Sequence, residues 1–342
     1  MNSRPDIRLN QPLRALNTFG VDANAAALLR VNSVDELRAV CADPQLSAMR
    51  RLVLGGGSNL LLLGDFDGLV LHMTNLGHAV TDEDAQHVFV TAQAGENWHG
   101  FVQWTLAQGL PGLENLSLIP GSVGASPIQN IGAYGSEVGS FVHSVRVFDF
   151  GSGEVRVLSN ADCQFGYRDS LFKSHFGDQV VILDVTFALP KQWQPNLRYA
   201  ELAAEFTLRG IDHPSAKDIS EAVIAIRSRK LPDPAKIGNA GSFFKNPVVS
   251  SDQRDELLAR FPGLISYPQA DGRCKLAAGW LIDQCGWKGK SMGAAAVHDR
   301  QALVLVNWGG ASGAEILALA RAISDDVLAK YGVVLEPELV LV

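Results

Sequence analysis

Ser242 lies in Gly238-Asn239-Ala240-Gly241-Ser242-Phe243-Phe244-Lys245-Asn246-Pro247, where one hydroxyl stands between small residues and two aromatic rings. Small residues let a ligand approach the backbone, the rings can exclude water, and Lys245 and Asn246 add polar contacts. Gly241 has no Cβ, which suits either an unusual backbone angle or close contact with a substrate. A hydroxyl placed this way can donate a proton or act as a nucleophile. A plain tight turn after Pro232 and Pro234 is the competing reading. Nucleophilic use is disfavoured because no GxSxG elbow is present and no His lies in a suggestive pattern near Ser242.

Two other segments carry groups able to act with it. Gly166-Tyr167-Arg168-Asp169-Ser170-Leu171-Phe172-Lys173 offers Arg168, whose planar fork fits a carboxylate. Leu335-Glu336-Pro337-Glu338-Leu339 offers two carboxylates, Glu336 and Glu338. Read alone, either an arginine or a glutamate could be an ordinary surface charge.

Two glycine-rich loops add a binding function. Residues 55–59, Gly-Gly-Gly-Ser-Asn, lie between apolar strands, where successive N–H groups can form a nest for phosphate oxygens. This is not a Rossmann fingerprint, because Leu60 follows and the next segment reads as a strand. Residues 119–135 run for seventeen positions with four glycines and no charge. Two such loops suit a bulky dinucleotide, one for a pyrophosphate and one for a flat ring, which favours FAD in a non-Rossmann domain.

Composition bounds these readings. The 342 residues are 47% apolar and 19% charged, as in an ordinary globular protein of two or three domains. The net charge of −7 has no basic stripe within it, which argues against nucleic acid or an anionic membrane as main partner. No stretch reads as a membrane span, and residues 1–17 lack the apolar core of a secretory signal. Cys41, Cys163, Cys274 and Cys285 form no CxxC pair, and the eight histidines form no HxH or HExxH arrangement. Reduced thiols, a cytoplasmic location and no metal are therefore expected.

The elements that must position these groups alternate irregularly. Ser33 and Glu36 form a capping box that opens a short helix. Strands are expected at 51–54, 68–73, 87–94, 141–150, 154–158, 180–189 and 302–307. Helices are expected at 97–108, 215–229, 252–261, 276–285 and from Ser312 to the stop at Gly332. Leu231-Pro232-Asp233-Pro234 cannot continue a helix and reads as a domain boundary. The pattern is α+β.

Taken in order along nearly the whole chain, these motifs resemble the UDP-N-acetylenolpyruvoylglucosamine reductases, the MurB family, in its long (type I) branch. The resemblance implies three domains. Two, at 1–73 and 74–227, form a vanillyl-alcohol-oxidase-like FAD-binding unit. An α/β substrate domain at 228–331 follows, and a segment at 332–342 returns to the active site. It implies FAD contacts from Asn17, Thr18, Phe19, Gly55, Gly56, Gly57, Ser58, Asn59, Ile119, Gly121, Ser122, Gly124, Ala125, Asn130, Gly132, Ala133 and Arg227. It implies substrate contacts from Tyr167, Tyr199, Lys230, Asn246, Tyr267, Lys275 and Gln301, with Tyr199 on a mobile loop that closes over bound substrate.

The implied reaction is NADPH-dependent reduction of UDP-N-acetylglucosamine enolpyruvate to UDP-N-acetylmuramate, for peptidoglycan precursor synthesis, by a monomeric chain. Hydride delivery to the C3 methylene lets negative charge develop at C2 and the carboxylate. Arg168, helped by Glu338, stabilises that charge, and Ser242 protonates C2. The nicotinamide donor rests wholly on the resemblance, since the chain has no second dinucleotide motif. One departure stands out: Val340 occupies a position where relatives commonly have Arg, which bears on ion pairing around Glu338.

Overall fold

A computed structural model describes residues 5–269 and 271–342. The chain divides into two compact units. The first comprises Met1–Gln11, Ala25–Gly57 and Asp67–Arg229, and the second comprises Pro12–Asn24, Ser58–Phe66 and Lys230–Val342. Each unit has its own core.

In the first unit a five-stranded antiparallel sheet runs in the order Glu154–Ser159, Val142–Asp149, Val180–Pro190, His87–Gln93, His78–Glu83. A second sheet has the order Arg8–Pro12, Asn24–Val31, Phe66–Met73, Arg51–Leu54, its last pair parallel. A nearly continuous apolar run explains the central strand, whose first six residues are all buried, Val181 and Val185 fully so. They pack with Trp98, Phe101 and Val102 of the Trp98–Ala107 helix, which Asn97 caps by accepting from Gly100 N–H. A smaller core forms where Leu202 and Phe206 of the Ala200–Arg209 helix meet Ile219, Val223 and Ile226 of the Ala216–Lys230 helix.

In the second unit the Gly313–Tyr331 helix buries Ile316, Leu319, Ala320, Ile323 and Val327, a stripe at helical spacing. Its Ser312–Glu315 capping box and left-handed Gly332 fix both ends, as the sequence predicts. The sheet Ser291–Met292/Ala295–Val297/Leu305–Asn307 lies against it, and a second, Val248–Val249/Cys274–Leu276/Ser266–Pro268, adds Val249, Cys274 and Leu276 to the same core. Leu60–Leu61 pairs in parallel with Val340–Leu341, so the segment after the first glycine loop is a strand, though a short one.

Several expected elements change. The helix expected at 276–285 begins at Ala278, because Cys274–Leu276 is claimed by strand pairing. The strand expected at 302–307 begins at Leu305, after a turn in which Val304 N–H bonds Gln301 O. The Ala200–Arg209 helix, which Tyr199 precedes as its N-cap residue, has no counterpart in the sequence-based reading.

Candidate active site

In the first unit the two glycine loops meet through their backbones. A Cβ on Gly55 would overlap Ser122 Oγ, and one on Gly56 would lie 2.9 Å from Gly121 Cα. Gly57 has φ +62° and Gly121 φ +118°, angles that L side chains rarely adopt. Gly124 likewise approaches the backbone of Ala94. These glycines therefore serve first to dock one loop on the other. Ser122 Oγ is buried there without a hydrogen-bond partner. A buried, unanswered hydroxyl in a cradle of close-packed backbone fits an oxygen-rich cofactor such as FAD.

The far part of the 119–135 loop holds Arg168. Asn130, in left-handed conformation at φ 47°, donates from Nδ2 to Gly166 O (3.0 Å) and Glu137 Oε2 (3.0 Å), and accepts from Gly139 N–H (2.8 Å). Arg168 donates from Nη2 to Gly132 O (2.9 Å), and Ser170 Oγ donates to Ile128 O (2.6 Å). Arg168 is itself at φ 54°, a conformation costing about 1–2 kcal/mol for a non-glycine residue. The surrounding bonds must offset that strain, as expected of a side chain aimed for function. Its guanidinium lies 5.6 Å from the ring centre of Tyr167, which is 37% exposed.

Arg227, on the Ala216–Lys230 helix, donates from Nε to the carbonyl of Leu118, immediately before the same loop (3.2 Å). Burial depresses its pKa, the phenol of Tyr134 opposes that, and the like charge of Arg168 adds to it. Two cations thus act on one neighbourhood, which suits an anion. Ile119, Ala125 and Ala133 line the loop as half-buried residues. Tyr199 is 42% exposed, and its ring meets that of Tyr134 edge-on with centroids 5.1 Å apart.

In the second unit Ser242 sits on a segment bonded from both sides. Ser242 bridges Val304, and Phe243 N–H bonds Leu303 O at 2.8 Å. From the other side, Glu338 N–H bonds Phe243 O at 2.8 Å, and Lys245 N–H bonds Glu336 O at 2.9 Å. The ladder brings Ser242 and Glu338 within one residue of a shared hydrogen bond. It also separates the two carboxylates: Glu338 is half-buried, whereas Glu336 is exposed and ion-paired to Lys245. Gly241 has φ +72° with nothing within 4 Å of a would-be Cβ, so the backbone angle, rather than space, requires glycine there.

The Asn17-Thr18-Phe19 turn supports this segment. Asn239 N–H bonds Thr18 O (3.0 Å), and a Cβ on Gly238 would overlap Phe19 O. The Asn17 amide is committed to Leu13 O, Val21 O and Val21 N–H, and the Phe19 ring is buried in the core. Ser58 and Asn59 belong to this unit, where Asn59 O accepts from Val340 N–H (3.0 Å). Val340 is exposed on that strand pair.

The substrate-site residues divide between the units. Tyr267 and Lys275 face each other across adjacent strands, and Lys230 ends the Ala216–Lys230 helix. Asn246 accepts from Ala278 N–H (2.9 Å), capping a helix whose own N-cap residue, Ala277, cannot. Gln301 forms the turn that precedes Val304.

Sequence reasoning missed Asn239, whose side chain bonds Pro232 O, Ile237 O and Gly241 N–H. It also missed Asn115, beside the flavin-type loop, and the part played by Tyr134 at the loop's end. Asn239 could have been found, since Asn is common in tight turns next to glycine. Among the described residues, no group of His, Cys, Asp and Glu could hold a metal, and no helix is long and apolar enough to cross a membrane. The four cysteines are free thiols.

The chain is similar to known proteins. A family profile described as the UDP-N-acetylenolpyruvoylglucosamine reductase C-terminal domain matches residues 233–342, and one described as an FAD binding domain matches residues 25–159. UDP-N-acetylenolpyruvoylglucosamine reductase from Burkholderia mallei is 55% identical over 342 residues, covering 98% of this chain and 99% of its own. The enzyme of the same name from Ralstonia nicotianae is 56% identical over 335 residues, covering 97% and 98%. The crystal structure of UDP-N-acetylenolpyruvylglucosamine reductase (MurB) from Thermus caldophilus matches with a TM-score of 0.68 at 25% identity, over 99% of this chain and 98% of that one. The chain belongs to the UDP-N-acetylenolpyruvoylglucosamine reductase family.

Proposed function

We propose that this protein catalyses the NADPH-dependent reduction of UDP-N-acetylglucosamine enolpyruvate to UDP-N-acetylmuramate, a step toward peptidoglycan, as a cytoplasmic monomer. FAD, when bound, supplies hydride transfer between NADPH and the C3 methylene. Gly55, Gly56, Gly57 and Ser122 would hold it, with Arg227 at the edge of the same loop. The remaining residues of Asn17–Phe19, Ser58, Asn59 and 119–133 contribute their backbone. The division at 1–73, 74–227, 228–331 and 332–342 belongs to this proposal.

The residues of the chain do the polar work. Arg168 binds the enolpyruvyl carboxylate through its fork and stabilises the negative charge that develops at C2 and the carboxylate. Ser242 Oγ then donates its proton to C2, and Glu338 assists at the same centre. Phe243 and Phe244, both buried, keep the ladder around Ser242 dry, which a weak acid such as a hydroxyl requires. Tyr167, Tyr199, Lys230, Asn246, Tyr267, Lys275 and Gln301 bind the UDP-sugar, the lysines near its diphosphate.

The observation that supports this reading is the backbone bond from Glu338 N–H to Phe243 O, the residue after Ser242, with Glu338 half-buried and Glu336 exposed. An anaerobic absorbance titration tests it. NADPH should bleach the flavin bands, and UDP-N-acetylglucosamine enolpyruvate should restore them. A protein that takes up no FAD, or whose bleached flavin ignores the enolpyruvyl substrate, overturns the proposal.

A further inference from the structure

Tyr134 ends the flavin-type loop in an unusual state. It has φ 49° and is followed by Gly135 at φ 80°, so two successive left-handed residues turn the chain. A tyrosine held there must be fixed by its surroundings. Its carbonyl accepts from Asn115 Nδ2 (2.9 Å), and that same amide donates to Asn196 O (2.9 Å). Asn196 Nδ2 returns a bond to Gly135 O (2.9 Å), and nearby Trp193 Nε1 donates to buried Glu114 Oε1 (2.7 Å). The 193–199 segment is therefore strapped to the end of the loop by side chains. The strap leads straight to Tyr199, whose exposed ring abuts the half-buried ring of Tyr134 edge-on.

We propose that Tyr134 is a positioning residue for Tyr199, fixing the ring that meets the UDP-sugar so that substrate affinity depends on the far end of the flavin loop. The inference rests on the functional reading above, which gives residues 119–133 to FAD and Tyr199 to the substrate. The ring does this, not the hydroxyl. Burial pushes the phenol up to about 12, so it stays neutral across the working pH range and contributes no switchable charge. An edge-on aromatic pair is favourable because a positive ring edge meets a negative face, and it fixes the angle as well as the distance.

The test is a double-mutant cycle on the FAD-loaded protein with NADPH and UDP-N-acetylglucosamine enolpyruvate. Tyr134→Ala should raise KM for the enolpyruvyl substrate about threefold to tenfold, the range an aromatic pair supports, with kcat within about twofold. Tyr134→Phe should restore the wild-type KM. In a Tyr199→Ala background, Tyr134→Ala should add nothing, since the contact it removes is already gone. Amide hydrogen exchange over residues 193–199 should quicken in Tyr134→Ala while the Val142–Asp149 strand stays protected.

An unchanged KM, equal increases in both backgrounds, or unchanged exchange over 193–199 overturns the inference. So does loss of flavin from both Tyr134→Ala and Tyr134→Leu, which would make Tyr134 part of the flavin's own site. Any of these in an enzyme whose wild type is active sinks the inference alone. A wild type inert toward the enolpyruvyl substrate sinks the functional reading and the inference with it.

Discussion

The 119–135 loop of the first unit and the 238–245 segment of the second are both glycine-rich, yet they are held by different means. Around the loop, side chains reach for backbone: Asn115, Asn130, Arg168 and Ser170 each bind a carbonyl of another turn. The serine segment is held mainly by its own backbone, bonded to 303–304 on one side and 336–338 on the other. Side-chain bonds can orient a cation such as Arg168 in an otherwise disfavoured backbone state. A two-sided ladder instead fixes a short hydroxyl that has little reach of its own. The long side chain tolerates an irregular loop, and the short one needs β geometry.

The sharpest test of that contrast is chemical. Ser242→Ala leaves every ladder bond in place, since those bonds are made by backbone atoms. NADPH reduction of the flavin should stay within about twofold. Reoxidation by the enolpyruvyl substrate should fall by about 10²–10⁴, the usual contribution of a positioned acid. Stopped-flow absorbance separates the two half-reactions, and equal losses in both would remove Ser242 from proton donation.

Next in size is Asn239→Ala, which tests whether the serine segment depends on backbone alone. Its side chain makes three bonds, to Pro232 O, Ile237 O and Gly241 N–H, in a buried position. Leaving those groups unanswered should lower stability by about 2–4 kcal/mol, measurable by denaturant titration. A loss below 1 kcal/mol would mean that the ladder suffices. Gly55→Ala probes the other region. Its new methyl would push on Ser122 Oγ and should cost about 1–3 kcal/mol together with weaker FAD retention. Full FAD binding by Gly55→Ala would show that the two loops can part without harm.

The same contrast explains which features could be read from the sequence. Local signals were enough for the Ser312–Glu315 and Ser33–Glu36 capping boxes and for the stop at Gly332, because each involves residues at most four apart. The apolar run of Val180–Pro190 also marked a strand. Asn115 did not, because its partners lie 19 and 81 residues away and nothing in its own neighbourhood marks them. The Ala200–Arg209 helix was hidden because its two buried residues, Leu202 and Phe206, find their fully buried partners on a separate helix beginning at Ala216. Gly241 and Gly55 were both legible as special positions. Which constraint each answers, a backbone angle in one and a neighbour's hydroxyl in the other, needed coordinates.

The smallest expected effect concerns pH and sharpens the account of the first unit. His99 Nδ1 accepts the N–H of Leu118, which has φ 59°, and the Leu118 carbonyl accepts from Arg227. Accepting at Nδ1 suits the neutral ring, and burial followed by the charge of Arg227 lowers the His99 pKa. The unfolded chain, with an imidazole near the usual value of about 6.5, therefore binds protons that the folded state refuses. Stability is fully present above that value. It falls as pH drops below it and levels off only beneath the lowered folded pKa. His72 and His298 are depressed for the same first reason, so the wild-type slope is a sum over three rings. His99→Gln keeps an acceptor for Leu118 N–H without a titrating group. Urea unfolding at pH 7.5 and 5.5 should thus show a smaller acid loss in His99→Gln than in the wild type. An equal loss would mean that the Leu118 turn holds its shape without a neutral His99, and that the loop is anchored by Arg227 and the asparagines alone.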